Sequence, residues 1–277
     1  MSKFIHGVPP LNHLENLKSN MKTKQKRLNE IQKEINLNNN NVKEWIQESY
    51  PDDYCKQLEK KIKKLEDRLE NNHLFTTKYL QSFNFNVSCV IDIGVFQGTP
   101  RLYNAFPNTF FVLVDPHKQG QNLLKDKPNK YQFFNVALGS SPGTIIMNQM
   151  GAKSTLLTRT KLTASKIQKT YEVKVITLDD LIQHLDTATR KNIGIKIDTE
   201  GFELEILKGL NKYQDNVQFL ITETNVRKRF TTNYRFSELI SQVSNLGLEF
   251  YNFLNPKGRA PRYYDCLFLR KESRFFN

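Results

Sequence analysis

The chain has 277 residues, of which 38% are hydrophobic and 11% aromatic; this suffices for one α/β domain with an accessory segment and excludes wholesale disorder. No apolar run approaches the roughly 20 residues that a membrane span needs, and the first residues lack the charged-then-apolar pattern of a secretion signal. The three cysteines (Cys55, Cys89 and Cys266) include no C-x-x-C pair, which argues against a zinc site or a disulfide framework and predicts a reducing, cytoplasmic location.

The formal net charge is +13. An excess of this kind favours an anionic partner, such as nucleic acid, a phosphorylated substrate or a membrane surface. The positive residues are spread along the chain, so a lysine-rich solvated surface is the preferred interpretation. Nucleic acid is therefore not the favoured partner, and contact with a membrane surface stays open.

Residues 1–80 are predicted to form a helical, coiled-coil-like accessory segment. Apolar residues recur at heptad spacing in residues 14–35 and again in residues 58–69, on either side of an asparagine-rich tract. Helices this short are marginal alone, so they must pack on each other, on the main domain or on a second subunit. We expect a structural role here, with a homo-oligomer formed through these helices.

In residues 81–277 the pattern changes to short apolar strands that alternate with helices. This alternation predicts an α/β fold with a mostly parallel, doubly wound sheet and helices on both faces. The predicted strands are residues 87–93, 109–114, 131–138, 193–197 and 217–222, and helices are predicted at residues 178–185, 202–210 and 236–246.

Two further segments complete the predicted domain. Residues 248–254 and 264–270 are strand-like and are joined by a turn-rich loop, so they are expected to form an antiparallel hairpin at one edge of the sheet. Residues 143–163 are expected to form an insert, with one strand followed by a polar loop.

A glycine motif, Asp92-x-Gly94-x-x-x-Gly98, directly follows the first predicted strand. Glycines at a strand-to-helix turn allow a tight turn and a close approach of the backbone to a ligand. The intervening Val95 and Phe96 are expected to share that contact. Because the spacing differs from G-x-G-x-x-G, a nicotinamide cofactor is not favoured.

Polar residues also end the next two strands. Ligands of open α/β sheets lie beyond the carboxyl ends of the strands. Asp115, followed by Pro116, could there accept hydrogen bonds from both ribose hydroxyls of an adenosine, although an ordinary aspartate before a turn proline remains an alternative. The third strand ends in Asn135-Val136-Ala137, whose backbone and side-chain amides could reach the adenine edge.

The fourth and fifth strands end in carboxylates. Asp198 follows residues 193–197 and is expected at the same edge as Gly94 and Asp115, and Glu223 ends the fifth strand. Glu203 lies where helix capping is a sufficient explanation. Lys196 is an ionisable residue in an apolar strand, so we expect it to have a carboxylate partner.

Taken in order, VIDIGVFQGT, VDP, NVALG, GAKSTL, TLDDL and IKIDTEGFELEILKGL, followed by a strand ending in Glu, resemble the FkbM-type methyltransferases. The resemblance implies a Rossmann-like class I methyltransferase fold, S-adenosylmethionine as donor, and O-methylation of a sugar or secondary-metabolite hydroxyl. Residues 1–80 carry none of these motifs. Phe96 stands where the family commonly has Asn, and Asp115 where Glu is commoner.

Carried over by position, the resemblance places two sets of residues around the reaction. The donor pocket would be lined by Asp92, Gly94, Gly98, Asp115 and Asn135. Asp198, Glu200 and Glu223 would face the acceptor.

Methyl transfer to an alcohol needs a group that orients the hydroxyl and takes its proton. Asp198 is the first candidate for this role, Glu223 the second and His117 the third, although a lone loop histidine is more often structural. A divalent cation held by Asp198 and Glu223 is an alternative use of the same carboxylates.

Several basic residues are candidates for binding the acceptor. Lys153 lies beside Ser154 in the insert loop, and Arg227 and Arg229 follow the fifth strand. Together with Glu200 they are the predicted acceptor contacts. If their charges converge, the acceptor would carry phosphate; otherwise they are solvated surface charges.

Two other classes of function remain open. An RNA methyltransferase would fit the positive charge, but the chain lacks the N-P-P-[YF] motif of amino-group methyltransferases, and steep salt dependence of RNA binding would be needed to favour it. A non-enzymatic coiled-coil assembly protein with a vestigial donor pocket is the other alternative. Calorimetry with S-adenosylmethionine separates it from an enzyme.

Overall fold

The computed structural model describes residue 60 and residues 74–150, 154–160, 167–232, 234–255 and 261–276. The chain divides into two units, Met1–Arg68 and Leu69–Asn277, and the strands and helices named here belong to the second. The predicted heptad segments, and the oligomer expected from them, lie outside the described residues and stay predictions. Among the described residues, no helix has the length and apolar character that crossing a bilayer requires.

The described part contains ten strands and five α-helices, each short and most beginning close to the predicted residue. In chain order they are α1 (Thr77–Ser82), β1 (Cys89–Ile93), α2 (Pro100–Ala105), β2 (Phe110–Val114), β3 (Tyr131–Phe134), β4 (Ala137–Leu138), β5 (Gly143–Gln149), β6 (Lys169–Ile176), α3 (Leu178–Gln183), β7 (Ile193–Ile197), α4 (Glu203–Lys208), β8 (Val217–Asn225), α5 (Phe236–Asn245), β9 (Leu248–Phe253) and β10 (Tyr263–Arg270).

Seven strands form the central sheet in the order β3-β2-β1-β7-β8-β10-β9. The first five of that order run parallel, and β10 runs antiparallel to both β8 and β9. The predicted mostly parallel α/β sheet with an antiparallel edge pair is thus confirmed. Because the parallel strands point the same way, the loops that follow them gather at one edge.

The core lies on both faces of this sheet, as alternating strand residues require. In β1, Cys89, Ile91 and Ile93 pack with the buried residues of α3, α4 and α5. Val90, between them, packs on the other face with Leu80 of α1 and with α2. Helices therefore cover both faces, as the apolar strands predict.

The predicted strand at residues 131–138 is two strands in the structure. β3 stays in the central sheet, while β4 joins a separate three-stranded sheet in the order β4-β6-β5. The chain leaves the central sheet at Asn135, whose side chain is bound to the neighbouring loop after β2. Apolar content alone does not reveal such a break.

The sequence analysis also missed β6. Tyr171, Val173 and Val175 are buried, and the residues between them are exposed. This strict alternation marks a strand with one covered face. The criterion used for the central strands, continuous apolar character, passes over it.

Gly194 in β7 leaves space for an aromatic ring of the neighbouring strand, β8, to lie over it. A β-carbon at this position would lie 2.3 Å from the ring of Phe219. That ring is fully buried, stacks with Phe106 at a centroid distance of 5.6 Å and lies tilted against Phe85 at 4.7 Å. The ring has little freedom to move away.

We therefore expect Gly194→Ala to lower the free energy of unfolding by about 1–3 kcal/mol, because it overpacks the core. Gly143→Ala is the matched control, since no heavy atom lies within 4 Å of its added β-carbon, and it should change stability by less than about 0.5 kcal/mol. Urea unfolding of both variants measures the difference. Equal midpoints would mean that the ring accommodates a methyl group.

Candidate active site

A cavity of about 420 Å³ opens at the carboxyl edge of the parallel strands, a size within the usual range for small-molecule sites. Its walls come from the residues after β1, β2, β3 and β7 and from the insert loop. The predicted site residues that line it are Gly94, Val95, Phe96, Gly98, Asp115, Pro116, His117, Val136, Ala137, Ser154, Asp198 and Glu200. The sequence thus correctly brings separate strand ends to one place.

Both glycines after β1 are needed by the protein's own packing. Gly94 has φ +79 and Gly98 has φ +114. A β-carbon on Gly94 would lie 1.9 Å from the backbone oxygen of Asp198, and one on Gly98 would lie 2.4 Å from that of Asp126. The close approach therefore joins the end of β1 to the end of β7, and it does not depend on a ligand.

Phe96, in the same turn, also has a positive φ of +46. Asn enters this left-handed region far more readily than a bulky residue does, which explains the Asn that the family commonly has here. In this chain the backbone N–H of Phe96 donates to Asp115 Oδ2 at 2.7 Å. The Phe96 ring lies edge-on to His117. The departure from the family keeps the turn and adds an aromatic wall to the cavity.

Asp115 is fixed by the backbone around it. Its two carboxylate oxygens accept from Phe96 N–H and from His117 N–H, at 2.7 Å and 2.8 Å. Burial raises the pKa of this carboxyl, and the two N–H groups oppose the rise. Each oxygen keeps a second lone pair that can accept from a ligand hydroxyl, and the ribose contact stays a prediction.

Asn135 does not line the cavity, which corrects the expectation that its side chain reaches the adenine. Its amide donates instead to the backbone oxygens of Asp115 and His117, at 2.7 Å and 2.8 Å. It therefore holds the loop that carries Asp115. The neighbouring Val136 and Ala137 do line the cavity.

His117 lies on the β2 side of the cavity, beside Asp115. Its ring is almost fully buried, and its Nδ1 accepts from Gln119 N–H at 3.3 Å. Asp198 follows β7, two strands away in the sheet. This position favours the structural interpretation of His117 over its use as the base.

A buried ion pair, of which Lys196 reaches the cavity wall, lies at the cavity floor. Lys196 Nζ is 3.2 Å from Asp92 Oδ1 and 3.6 Å from Asp198 Oδ2, and the Tyr103 hydroxyl donates to Asp92 at 2.9 Å. Burial alone would lower the pKa of Lys196, but attraction to the two carboxylates raises it above its ordinary value. The expected partner of Lys196 is confirmed. Asp92 is fully buried behind the cavity wall, which corrects its predicted direct contact with the donor.

A second charge cluster lies at the part of the cavity wall that Glu200 forms. The Glu200 carboxylate pairs with Arg159 at 2.7 Å and also with Arg229, and Arg229 in turn pairs with Glu223. The two guanidinium groups lie on the ring of Phe230, at 5.0 Å and 5.4 Å from its centroid. The cluster links the insert loop to the loops after β7 and β8.

This cluster corrects three predicted roles. Glu223 is buried and does not line the cavity; burial, followed by the charge of Asp198, raises its pKa, although Arg229 opposes the rise. Its pairing with Arg229 argues against a metal shared with Asp198. Arg229 is likewise engaged by carboxylates instead of facing the acceptor.

The other predicted acceptor contacts lie apart from one another. Arg227 is exposed and lies outside the cavity wall; its backbone N–H donates to the backbone oxygen of Arg262. Ser154 lines the cavity, and its hydroxyl accepts from Met150 N–H at 2.9 Å. Lys153 lies outside the described residues.

Glu203 begins α4, but its carboxylate binds the loop before the helix, so the helix-capping interpretation is corrected. One of its oxygens accepts from the backbone N–H groups of Thr199 and Gly201, at 3.1 Å and 2.9 Å. The Tyr234 hydroxyl donates to the other oxygen. Glu203 thus shapes the loop that presents Asp198.

The lining residues that were not among the predicted site residues include Arg101, Thr155, Leu156 and Phe202. Arg101 follows the glycine motif closely, so the motif could have been read further. Thr155, Leu156 and Phe202 carry no chemical signal, because apolar and hydroxyl residues are common in any loop.

We expect Lys196→Met to lower the free energy of unfolding by about 3–5 kcal/mol, because it leaves Asp92 buried without its cation. Lys208→Met is the control: Lys208 pairs with Glu205 on the surface, and its loss should cost less than about 1 kcal/mol. Urea unfolding measures both.

Adding Asp92→Asn to Lys196→Met removes both charges and should restore part of the lost stability. If Lys196→Met proves no more harmful than Lys208→Met, the buried pair does not stabilise the fold.

Comparisons with known proteins agree with this geometry. The Methyltransferase FkbM domain matches residues 24–250, so the match includes much of the segment that carries none of the motifs. None of the curated proteins matches the sequence.

Two solved structures resemble the chain distantly. Magnesium protoporphyrin IX methyltransferase (ChlM) from Synechocystis PCC 6803, solved with bound SAM, is 10% identical over 84% of this chain and 93% of that one, with a TM-score of 0.37. A TehB-like SAM-dependent methyltransferase from Corynebacterium glutamicum is 11% identical over 77% and 97%, with a TM-score of 0.31. The assignment depends on the family match: this chain belongs to the FkbM methyltransferase family, which uses S-adenosylmethionine.

Proposed function

We propose that this protein is an O-methyltransferase that acts on a hydroxyl group of a sugar, glycan or secondary metabolite. The proposal is carried by Asp198, a partly exposed carboxylate in the wall of the donor cavity. It follows β7, beside the turn that contains Gly94. The family gives the donor, and Asp198 gives a group that can receive a hydroxyl proton.

The residues present fit S-adenosylmethionine. The cavity of about 420 Å³ has apolar walls from Val136 and Leu138 for an adenine ring, and Asp115 keeps lone pairs for the ribose hydroxyls. When bound, the donor supplies a methyl group that its sulfonium charge has already activated. The protein has to hold an acceptor oxygen in line with that group and to exclude water.

Among the described residues, three carboxylates line the cavity, and they differ in their partners. Asp115 is buried and holds two backbone N–H groups. Glu200 is bound by two arginines. The side chain of Asp198 is 41% exposed, and Lys196 contacts it at 3.6 Å. Asp198 therefore has the most capacity to accept a new hydrogen bond.

In the proposed mechanism, the Asp198 carboxylate accepts a hydrogen bond from the acceptor hydroxyl and so directs an oxygen lone pair toward the methyl group. The hydroxyl proton would become strongly acidic as the new carbon–oxygen bond forms and the methyl–sulfur bond breaks with its electron pair left on sulfur, giving S-adenosylhomocysteine, so a carboxylate suffices as base. The proton passes to Asp198 and then to water through its exposed side. Lys196, held by Asp92, fixes the position of the carboxylate.

We also propose that the acceptor is uncharged near its reacting hydroxyl. Arg159 and Arg229, the two arginines of the charge cluster beside the cavity, are both paired with Glu200, and Arg229 is also paired with Glu223. Their charges are already compensated, so they offer a phosphate little net attraction. A neutral sugar or a hydroxylated metabolite fits this wall better than a phosphorylated one does.

We expect Asp198→Asn to lower methyl transfer about 10²–10⁴-fold, because the amide cannot take the proton. Its affinity for S-adenosylhomocysteine should stay within about threefold of the wild type, as expected for a group that acts on the acceptor. The assay follows labelled methyl from S-adenosylmethionine into polar metabolites and neutral oligosaccharides, with mass spectrometry to identify the methoxy group.

Asp115→Asn provides the contrast, since it should weaken binding of S-adenosylhomocysteine about tenfold or more. Wild-type turnover in Asp198→Asn would remove Asp198 from the mechanism. Labelled product carrying the methyl group on nitrogen or carbon would overturn O-methylation. Faster transfer to phosphorylated sugars than to neutral ones would overturn the uncharged acceptor.

A further inference from the structure

The wall of the cavity has parts with different side chains. Asp115, His117 and Val136, from the ends of β2 and β3, form one part. Another part of the wall comes from Arg101, in the first turn of α2 after the glycine motif, and from Phe75, which Arg101 contacts. The sheet order places β1 between β2 and β7, so a ligand held at Asp115 and reaching Asp198 must cross the Gly94 turn.

The donor brings a carboxylate of its own into this cavity. S-adenosylmethionine carries an adenosine at one end and an amino acid at the other. With the ribose at Asp115 and the sulfur near Asp198, the amino acid extends toward Arg101. A carboxylate that loses water there needs a cation or hydrogen-bond donors, because an unpaired buried charge is costly.

Three basic side chains line the described part of the cavity, namely Lys196, His117 and Arg101. Lys196 already contacts two carboxylates of the protein. His117 belongs to the adenosine end. Arg101 is exposed, and its Nη1 donates a long hydrogen bond of 3.4 Å to the backbone oxygen of Phe75.

We propose that Arg101 binds the carboxylate of the methionine part of the donor. A guanidinium group pairs with a carboxylate through two parallel hydrogen bonds. The backbone around Arg101 is held in place, because its carbonyl oxygen accepts from the Thr77 hydroxyl at 3.0 Å. Asp115 then binds the ribose of the donor and Arg101 binds its carboxylate, and the sulfur lies between them. This role concerns the donor alone, so it stands whichever acceptor is found.

Calorimetry with two ligands tests the proposal without any acceptor. S-adenosylhomocysteine has the carboxylate, and decarboxylated S-adenosylhomocysteine lacks it but keeps the amine. We expect Arg101→Met to weaken S-adenosylhomocysteine about 10–100-fold, as for the loss of a charge-assisted pair. The same variant should bind the decarboxylated ligand within about threefold of the wild type, since that ligand makes no such pair.

Lys78→Met is the matched control, since it removes a nearby exposed charge that does not line the cavity. Both ligands should bind it as they bind the wild type. If Arg101→Met loses the same factor for both ligands, Arg101 supports the loop and not the carboxylate, and the proposal is wrong. Unchanged affinity for S-adenosylhomocysteine in Arg101→Met also overturns it. Failure of the wild type to bind either ligand would overturn donor binding as a whole, which a failure of O-methylation would not.

Discussion

The ion pair between Lys196 and Asp92 is the constraint on which the site depends. The two residues lie directly opposite each other in the parallel pairing of β1 and β7. Both are almost completely withdrawn from water, so neither charge is tolerable without the other. The pair therefore fixes the register of the two strands whose ends carry Gly94 and Asp198. The Tyr103 hydroxyl extends the same constraint to α2.

Charge compensation continues through the walls of the cavity. Lys196 forms ion pairs with Asp92 and Asp198. The two arginines that bind Glu200 also lie against the ring of Phe230. Phe230 can approach so closely because its ring packs against Gly201, where a β-carbon would be 2.5 Å away. The cavity is thus lined by side chains whose partners are other protein groups. Asp198 and Arg101, each partly or largely exposed, are the lining residues best placed to meet a ligand.

The sequence predicted the strands best where burial is simple. β7 has its predicted bounds, because both of its faces are covered and every residue is buried. Gathering Gly94, Asp115 and Asp198 at one edge also follows from parallel strands alone. The sequence could not show that Asn135 would bind the neighbouring loop, since Asn suits a ligand contact and a loop contact equally well.

Side-chain pairing was the least predictable part of the site. Glu200 meets Arg159 and Arg229, which lie 41 and 29 residues away in the chain. No local sequence pattern indicates these ion-pair partners, because the pairing depends on how three loops come together in the fold. Arg229, one of the basic residues that suggested an anionic acceptor, is the clearest example. Its charge is visible in the sequence, and its pairing with Glu200 and Glu223 appears only in three dimensions.

The position of β10 has a consequence for the order in which the protein assembles. β9 is synthesised before β10, yet its neighbour in the sheet is β10, which also pairs with β8. While the chain emerges from the ribosome, the edges of β8 and β9 that will pair with β10 keep unpaired backbone hydrogen-bonding groups until β10 is synthesised. Such edges can pair with other chains, so the interval before β10 arrives is when nascent molecules are most exposed to aggregation.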